Sequence, residues 1–137
     1  MVQSMGLPSP IPSSIIQLNI RGLYPKSNQS KLKYLNDLAN IKNSFIISAT
    51  ETHLDKDIED FELNIKGWNL FRSDRTLRSH GGVCCFVREQ YLVTHEWNFS
   101  NSYCESLCLF LPKKKLALCT IYRPPNCPEK FFYEVLN

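Results

Sequence analysis

The sequence predicts a layered α/β fold with mixed sheets, and three observations carry that expectation. A strand, a helix of about eleven residues and a second, almost wholly apolar strand come first, the make-up of a crossover unit. Short strands then follow in quick succession between polar turns, a spacing that favours antiparallel pairing. After the last of them come only a proline loop and about eight residues of helix, too little to cover the sheet just built. That shortfall is the first sign of a piece of a larger domain.

In order, residues 1–13 are rich in Pro, Ser and Gly, carry no charge and read as a flexible lead-in, with the domain portion running from 14 to 137. Ile15 to Ile20 is a short apolar strand ended by Arg21-Gly22. Tyr24-Pro25 opens a loop, and Ser27 or Ser30 can cap a helix. Leu32, Leu35, Leu38 and Ile41 recur at three-residue steps, with Tyr34 and Ala39 beside them, as an apolar stripe. Phe45 to Thr50 is nearly unbroken apolar sequence, the mark of a strand covered on both faces. From Glu51 to Asp60 the chain turns acidic and polar. Strands are then expected at Trp68–Phe71, Gly82–Val87, Tyr91–Trp97, Glu105–Leu111 and Leu116–Tyr122. Pro124, Pro125 and Pro128 interrupt the pattern before a helix at Glu129–Leu136. Trp68, Phe71 and Trp97 have the strand spacing of core aromatics.

The 137 residues suit one domain or part of one, and 43% hydrophobic against 21% charged suits a packed core. Sixteen basic against thirteen acidic residues leave a net charge of +3, too mild to argue for a nucleic-acid partner. The one tight basic cluster, Lys113 to Lys115, sits between apolar runs and reads as a solvated hairpin turn. No run approaches the roughly 18 apolar residues of a membrane span, and the N-terminus lacks the pattern of a signal peptide. An intracellular setting, nuclear or cytoplasmic, is the expectation. Cys84, Cys85, Cys104, Cys108 and Cys119 lie in apolar strand-like runs, where free cysteine behaves as a small buried hydrophobe. Their spacing argues against zinc.

Asn19 and Glu51 each end a strand. In α/β sheets ligands gather outside the carboxyl ends of strands, and two strands joined by one crossover lie close together. A carboxylate and an amide there could hold a hard cation and a phosphate oxygen, since magnesium takes one or two carboxylates and keeps several waters. The alternative is that Asn19 caps a turn and Glu51 faces solvent.

Five segments in register weigh against that alternative. They are Leu18-Asn19-Ile20-Arg21-Gly22-Leu23, Thr50-Glu51-Thr52-His53-Leu54, Gly67-Trp68 through Phe71-Arg72-Ser73-Asp74-Arg75, Gly81-Gly82-Val83 and Tyr122-Arg123-Pro124-Pro125. Together they resemble the N-terminal part of an endonuclease/exonuclease/phosphatase domain of the kind carried by non-LTR retrotransposons. The resemblance implies a four-layer α/β/β/α sandwich, C-terminally truncated here. It implies a Mg²⁺- or Mn²⁺-dependent DNA endonuclease with Glu51 on the metal, Asn19 beside metal and phosphate, and Tyr122 positioning the phosphate. DNA is the implied substrate and a linked or missing reverse transcriptase the implied partner.

Two departures qualify it. Arg21 stands where abasic-site repair enzymes of that superfamily carry an aspartate. More decisively, no Gly-Asp-Phe-Asn segment and no Ser-Asp-His segment appears, so the later catalytic Asp/Asn and Asp/His pairs are absent and the chain is expected to be inactive alone. A non-catalytic DNA- or protein-binding remnant, or another phosphoesterase of the superfamily, are the alternatives. Arg72, Arg75 and Arg78 are candidate phosphate contacts, with bracing of the site by Arg72 an equal reading. His53 reads as a structural or loop histidine outside the site, and His80 and His95 have no evident partner.

Overall fold

A computed structural model describes residues 11–25, 30–76, 80–101 and 103–136. Most of the lead-in, Ser27 and Arg78 fall outside these ranges. The elements are β1 (Ser14–Asn19), α1 (Ser30–Ile41), β2 (Ser44–Thr50), β3 (Trp68–Ser73), β4 (Val83–Arg88), β5 (His95–Asn98), β6 (Glu105–Leu111), β7 (Leu116–Tyr122) and α2 (Glu129–Leu136). A 3-10 turn at Asp60–Leu63 precedes β3.

The first sheet has the order β1-β2-β4-β3 and the second β5-β6-β7. The crossover unit forms as expected, with β1 parallel to β2, and every other pairing is antiparallel. All seven residues of β2 are buried, because α1 lies on one side of the sheet and the second sheet on the other. One core gathers Leu35, Ala39, Ile47, Ala49, Leu63, Trp68 and Phe86; a second lies between the sheets, from Ile46, Val83, Cys85 and Val87 to Leu107, Leu109 and Leu111.

Inside α1 the buried positions are Leu35 and Ala39, with Leu32 partly covered; Ile41 is 78% exposed and Tyr34 56%. At about 100° per residue, three-residue steps drift by about 60° each, so Ile41 ends opposite Leu32. The stripe was read too narrowly as a period of three. The strand expected from Tyr91 begins only at His95, because Tyr91 closes a turn by donating its N–H to the Arg88 carbonyl and packs on Phe45. The lysine cluster forms a 3-10 turn between β6 and β7, with Lys114 Nζ about 5 Å above the rings of Phe45 and Tyr91.

Two expectations fail on the outer face of the second sheet. Trp97 is 42% exposed, stacked on His95 with ring centres 5.4 Å apart, rather than a core aromatic. Cys108 and Cys119 stand opposite each other across β6 and β7 and are joined as a disulfide, with Cys119 exposed. Alternation along the strands causes both results: Leu107, Leu109 and Leu111 take the inward positions, leaving Cys108 outward. The remaining cysteines, Cys84, Cys85, Cys104 and Cys127, are free and buried. Helix α2 packs through Phe131 and Phe132 on Tyr103 and Cys104.

Candidate active site

Three loops are laced together at the rim of the first sheet. Beyond β1, the Gly22 N–H donates to the Glu51 carbonyl at 2.7 Å and the Leu23 N–H to that of Thr52 at 2.8 Å. Beyond β2, the Thr52 and His53 N–H groups donate to the carbonyls of Gly82 and Gly81 at 3.2 and 2.9 Å. The ends of β1 and β2 are thereby fixed against the start of β4. Lys31, in the first turn of α1, adds a clamp: its ammonium donates to the carbonyls of Ile20, Arg21 and Gly22 at 2.7, 3.0 and 2.7 Å.

On this rim Asn19 and Glu51 converge. The Asn19 carbonyl oxygen accepts the Arg21 N–H at 3.2 Å, leaving its amide hydrogens for Glu51. From the second sheet, the last residue of β7 reaches across: Tyr122 donates its hydroxyl to Glu51 Oε1 at 2.5 Å. The carboxylate is thus held by groups from both sheets. These hydrogen bonds, Tyr122 first and Asn19 next, hold Glu51 below the usual carboxylate range, so it is ionised at neutral pH. Partial burial, then the adjacent carboxylate, push the Tyr122 phenol up to about 12 and keep it a donor. An ionised carboxylate with free lone pairs beside an amide is the sparse oxygen set that magnesium accepts, so the donors fit such an ion.

Arg72 and Arg75 turn inward. Arg72 donates to Asp74, to Asp60 and to the carbonyls of Ile58 and Asp55, with 14% of its side chain exposed. Arg75, with 9% exposed, pairs with Glu105 at 3.0 Å and donates to the Tyr103 carbonyl. Both guanidinium groups are engaged within the fold, the bracing arrangement that the sequence left open for Arg72. Arg78 lies outside the described residues.

Sequence reasoning missed two participants. Glu105 is 1% exposed, accepts the Gly82 N–H and pairs with Arg75; its signal was a carboxylate opening an apolar strand. Lys31 gave no signal, because its acceptors are backbone carbonyls. His53, read as a loop histidine, lies beside these groups against Gly22, with its ring 4.5 Å from that of His80. Partial burial, then the neighbouring His80, hold its pKa below the ordinary histidine value, against the pull of Glu51.

No protein-family model and no curated protein matches the chain. Solved structures do. A 3′ phosphatase NExo from Neisseria, bound to a product DNA hairpin, superposes with a TM-score of 0.59 at 17% identity, over 88% of this chain and 46% of that one. TDP2 from D. rerio, complexed with a single-strand DNA product, gives 0.57 at 15% identity over 82% and 47%. A truncated TDP2 from Caenorhabditis elegans gives 0.55 at 15% over 85% and 47%. The chain therefore spans about half the length of these structures. What the likeness establishes is the fold: two sheets with few helices, in the arrangement of the endonuclease/exonuclease/phosphatase type.

Proposed function

We propose that this chain carries the Glu51–Asn19–Tyr122 portion of a metal-dependent phosphodiesterase site that acts on DNA, of the kind found in retrotransposon endonucleases, and that alone it does not cut. The observation that carries the reading is the meeting of Asn19, Glu51 and Tyr122, from three strands and both sheets, on one carboxylate. Two of the fold neighbours are described with product DNA, which supports DNA as the substrate class. The retroelement origin, and with it a linked reverse transcriptase, rests on the five sequence segments.

Magnesium or manganese held by Glu51 would supply charge neutralisation at a phosphate oxygen. The protein's own groups do the rest of the binding work. Glu51 is kept anionic, Tyr122 fixes the carboxylate's orientation, and Asn19 places amide hydrogens where a phosphate oxygen could accept one. The Lys31 clamp and the laced loops hold these groups in place without substrate, so little ordering cost falls on binding. Attack by water also needs a proton acceptor, and the two segments that would bring one by family resemblance are not in this sequence. Lacking such a group lowers rate by about 10²–10⁴-fold, and more when several are missing.

A two-part measurement tests this. Mn²⁺ binding, followed by the loss of the free-ion electron paramagnetic resonance signal, is expected for the wild-type chain and to weaken about tenfold in Glu51→Gln. Supercoiled plasmid with Mg²⁺ is expected to stay un-nicked. Affinity for Mn²⁺ indifferent to Glu51→Gln, or Glu51-dependent nicking, would overturn the corresponding half.

A further inference from the structure

Beside the carboxylate site lies a pair of imidazoles that it does not use. His53 and His80 come from two different loops, with ring centres 4.5 Å apart and planes at 54°. Each sits in the left-handed backbone region, at φ 56° and 71°, a conformation non-glycine residues adopt at a cost of about 1 kcal/mol or more. The His53 N–H donates to the Gly81 carbonyl, so the two loops are locked in this approach. His53 also packs on Gly22, where a Cβ would come within 3.3 Å of Nδ1. Nearby positive groups are already engaged: Lys31 by three carbonyls and Arg75 by Glu105.

Two imidazoles on one ion, each at about 2.0–2.1 Å, have ring centres roughly 4.5–5.5 Å apart. The spacing observed already falls in that range. Imidazole suits zinc, copper, nickel and cobalt rather than magnesium, and waters can fill the remaining positions. We propose that His53 and His80 form a clasp for a borderline divalent ion of the zinc class at the rim of the site. The clasp is separate from the oxygen site on Glu51 and does not depend on the phosphodiesterase reading.

The chain has three histidines, which gives the test an internal control. Substoichiometric Co²⁺ is added to the full chain while the imidazole Hε1 proton resonances are followed, assigned through His80→Asn and His53→Asn. Asparagine tolerates the left-handed backbone, and circular dichroism verifies folding. The His53 and His80 signals are expected to broaden together before that of His95, in wild type and equally in Glu51→Gln. Zn²⁺ affinity by calorimetry is expected to fall about tenfold or more in His80→Asn and in His53→Asn. Broadening of all three signals alike, broadening lost in Glu51→Gln, or Zn²⁺ affinity unchanged in His80→Asn would overturn the proposal. The first outcome means scattered binding, and the second places the ion on the carboxylate instead.

Discussion

Gly82 shows how closely the site loops approach one another. It sits at φ +86°, and a Cβ there would come within 2.5 Å of the Thr52 hydroxyl, itself fully buried and without a hydrogen-bond partner among the described residues. At Gly81 a Cβ would meet the Arg75 guanidinium and Glu105 at 2.5 Å. The glycine pair thus makes room for a buried ion pair and lets the Gly82 N–H reach Glu105 Oε1. Gly82→Ala is expected to destabilise the chain by about 2 kcal/mol or more, measured by urea unfolding. Glu105→Ala should cost about 3–5 kcal/mol, because it strands the Arg75 guanidinium in the interior; an unchanged urea midpoint would refute the bracing role. At this scale the sequence was informative where chemistry has a local signature. Asn19 and Glu51 were found at strand ends, and Tyr122 through its motif. Arg72 and Arg75 stayed ambiguous, because a guanidinium reads the same whether its acceptor is a phosphate or a carboxylate thirty positions away.

Strands β6 and β7 tie covalent chemistry to geometry. Their register sets Cys108 opposite Cys119 on the outward face, while Cys84, Cys85, Cys104 and Cys127 point into packed interior. With the bond formed, a colourimetric thiol reagent should find no accessible thiol in the folded chain, the four free ones on unfolding, and all six sulfurs only after reduction. Two fast-reacting thiols in the folded chain would mean that the Cys108–Cys119 pair is open. Periodicity had suggested that both were buried, since an apolar run hides which of its faces is the inner one. The same limit explains α1, where the helix existed as expected but its covered stripe ran through Leu35 and Ala39 rather than on to Ile41. Pattern alone gives existence and rough extent; the partner surface decides the face.

Taken as a whole, the molecule has a sheet-on-sheet core that holds neutral groups neutral. Burial pushes the Cys85 thiol up to about 11, against an ordinary value near 9, although its hydrogen bonds to Thr120 and Ser48 work the other way. Unfolded, the thiol loses its proton first. This contribution to stability is therefore complete below about pH 9 and lost as pH rises toward about pH 11. The urea midpoint should fall across that window, and fall less in Cys85→Ala; parallel curves would sink the assignment. The crossover and the antiparallel strands were legible from spacing, whereas the pairing of the Tyr122 hydroxyl with Glu51 was not, because it spans 71 residues and depends on how two sheets dock. That docking makes cohesion and chemistry a single quantity. Glu51 stands on one sheet and its hydroxyl donor on the other, so any slippage between the two slabs dismantles the anionic pocket before either slab unravels. Whatever grips that pocket acts as a rivet through both.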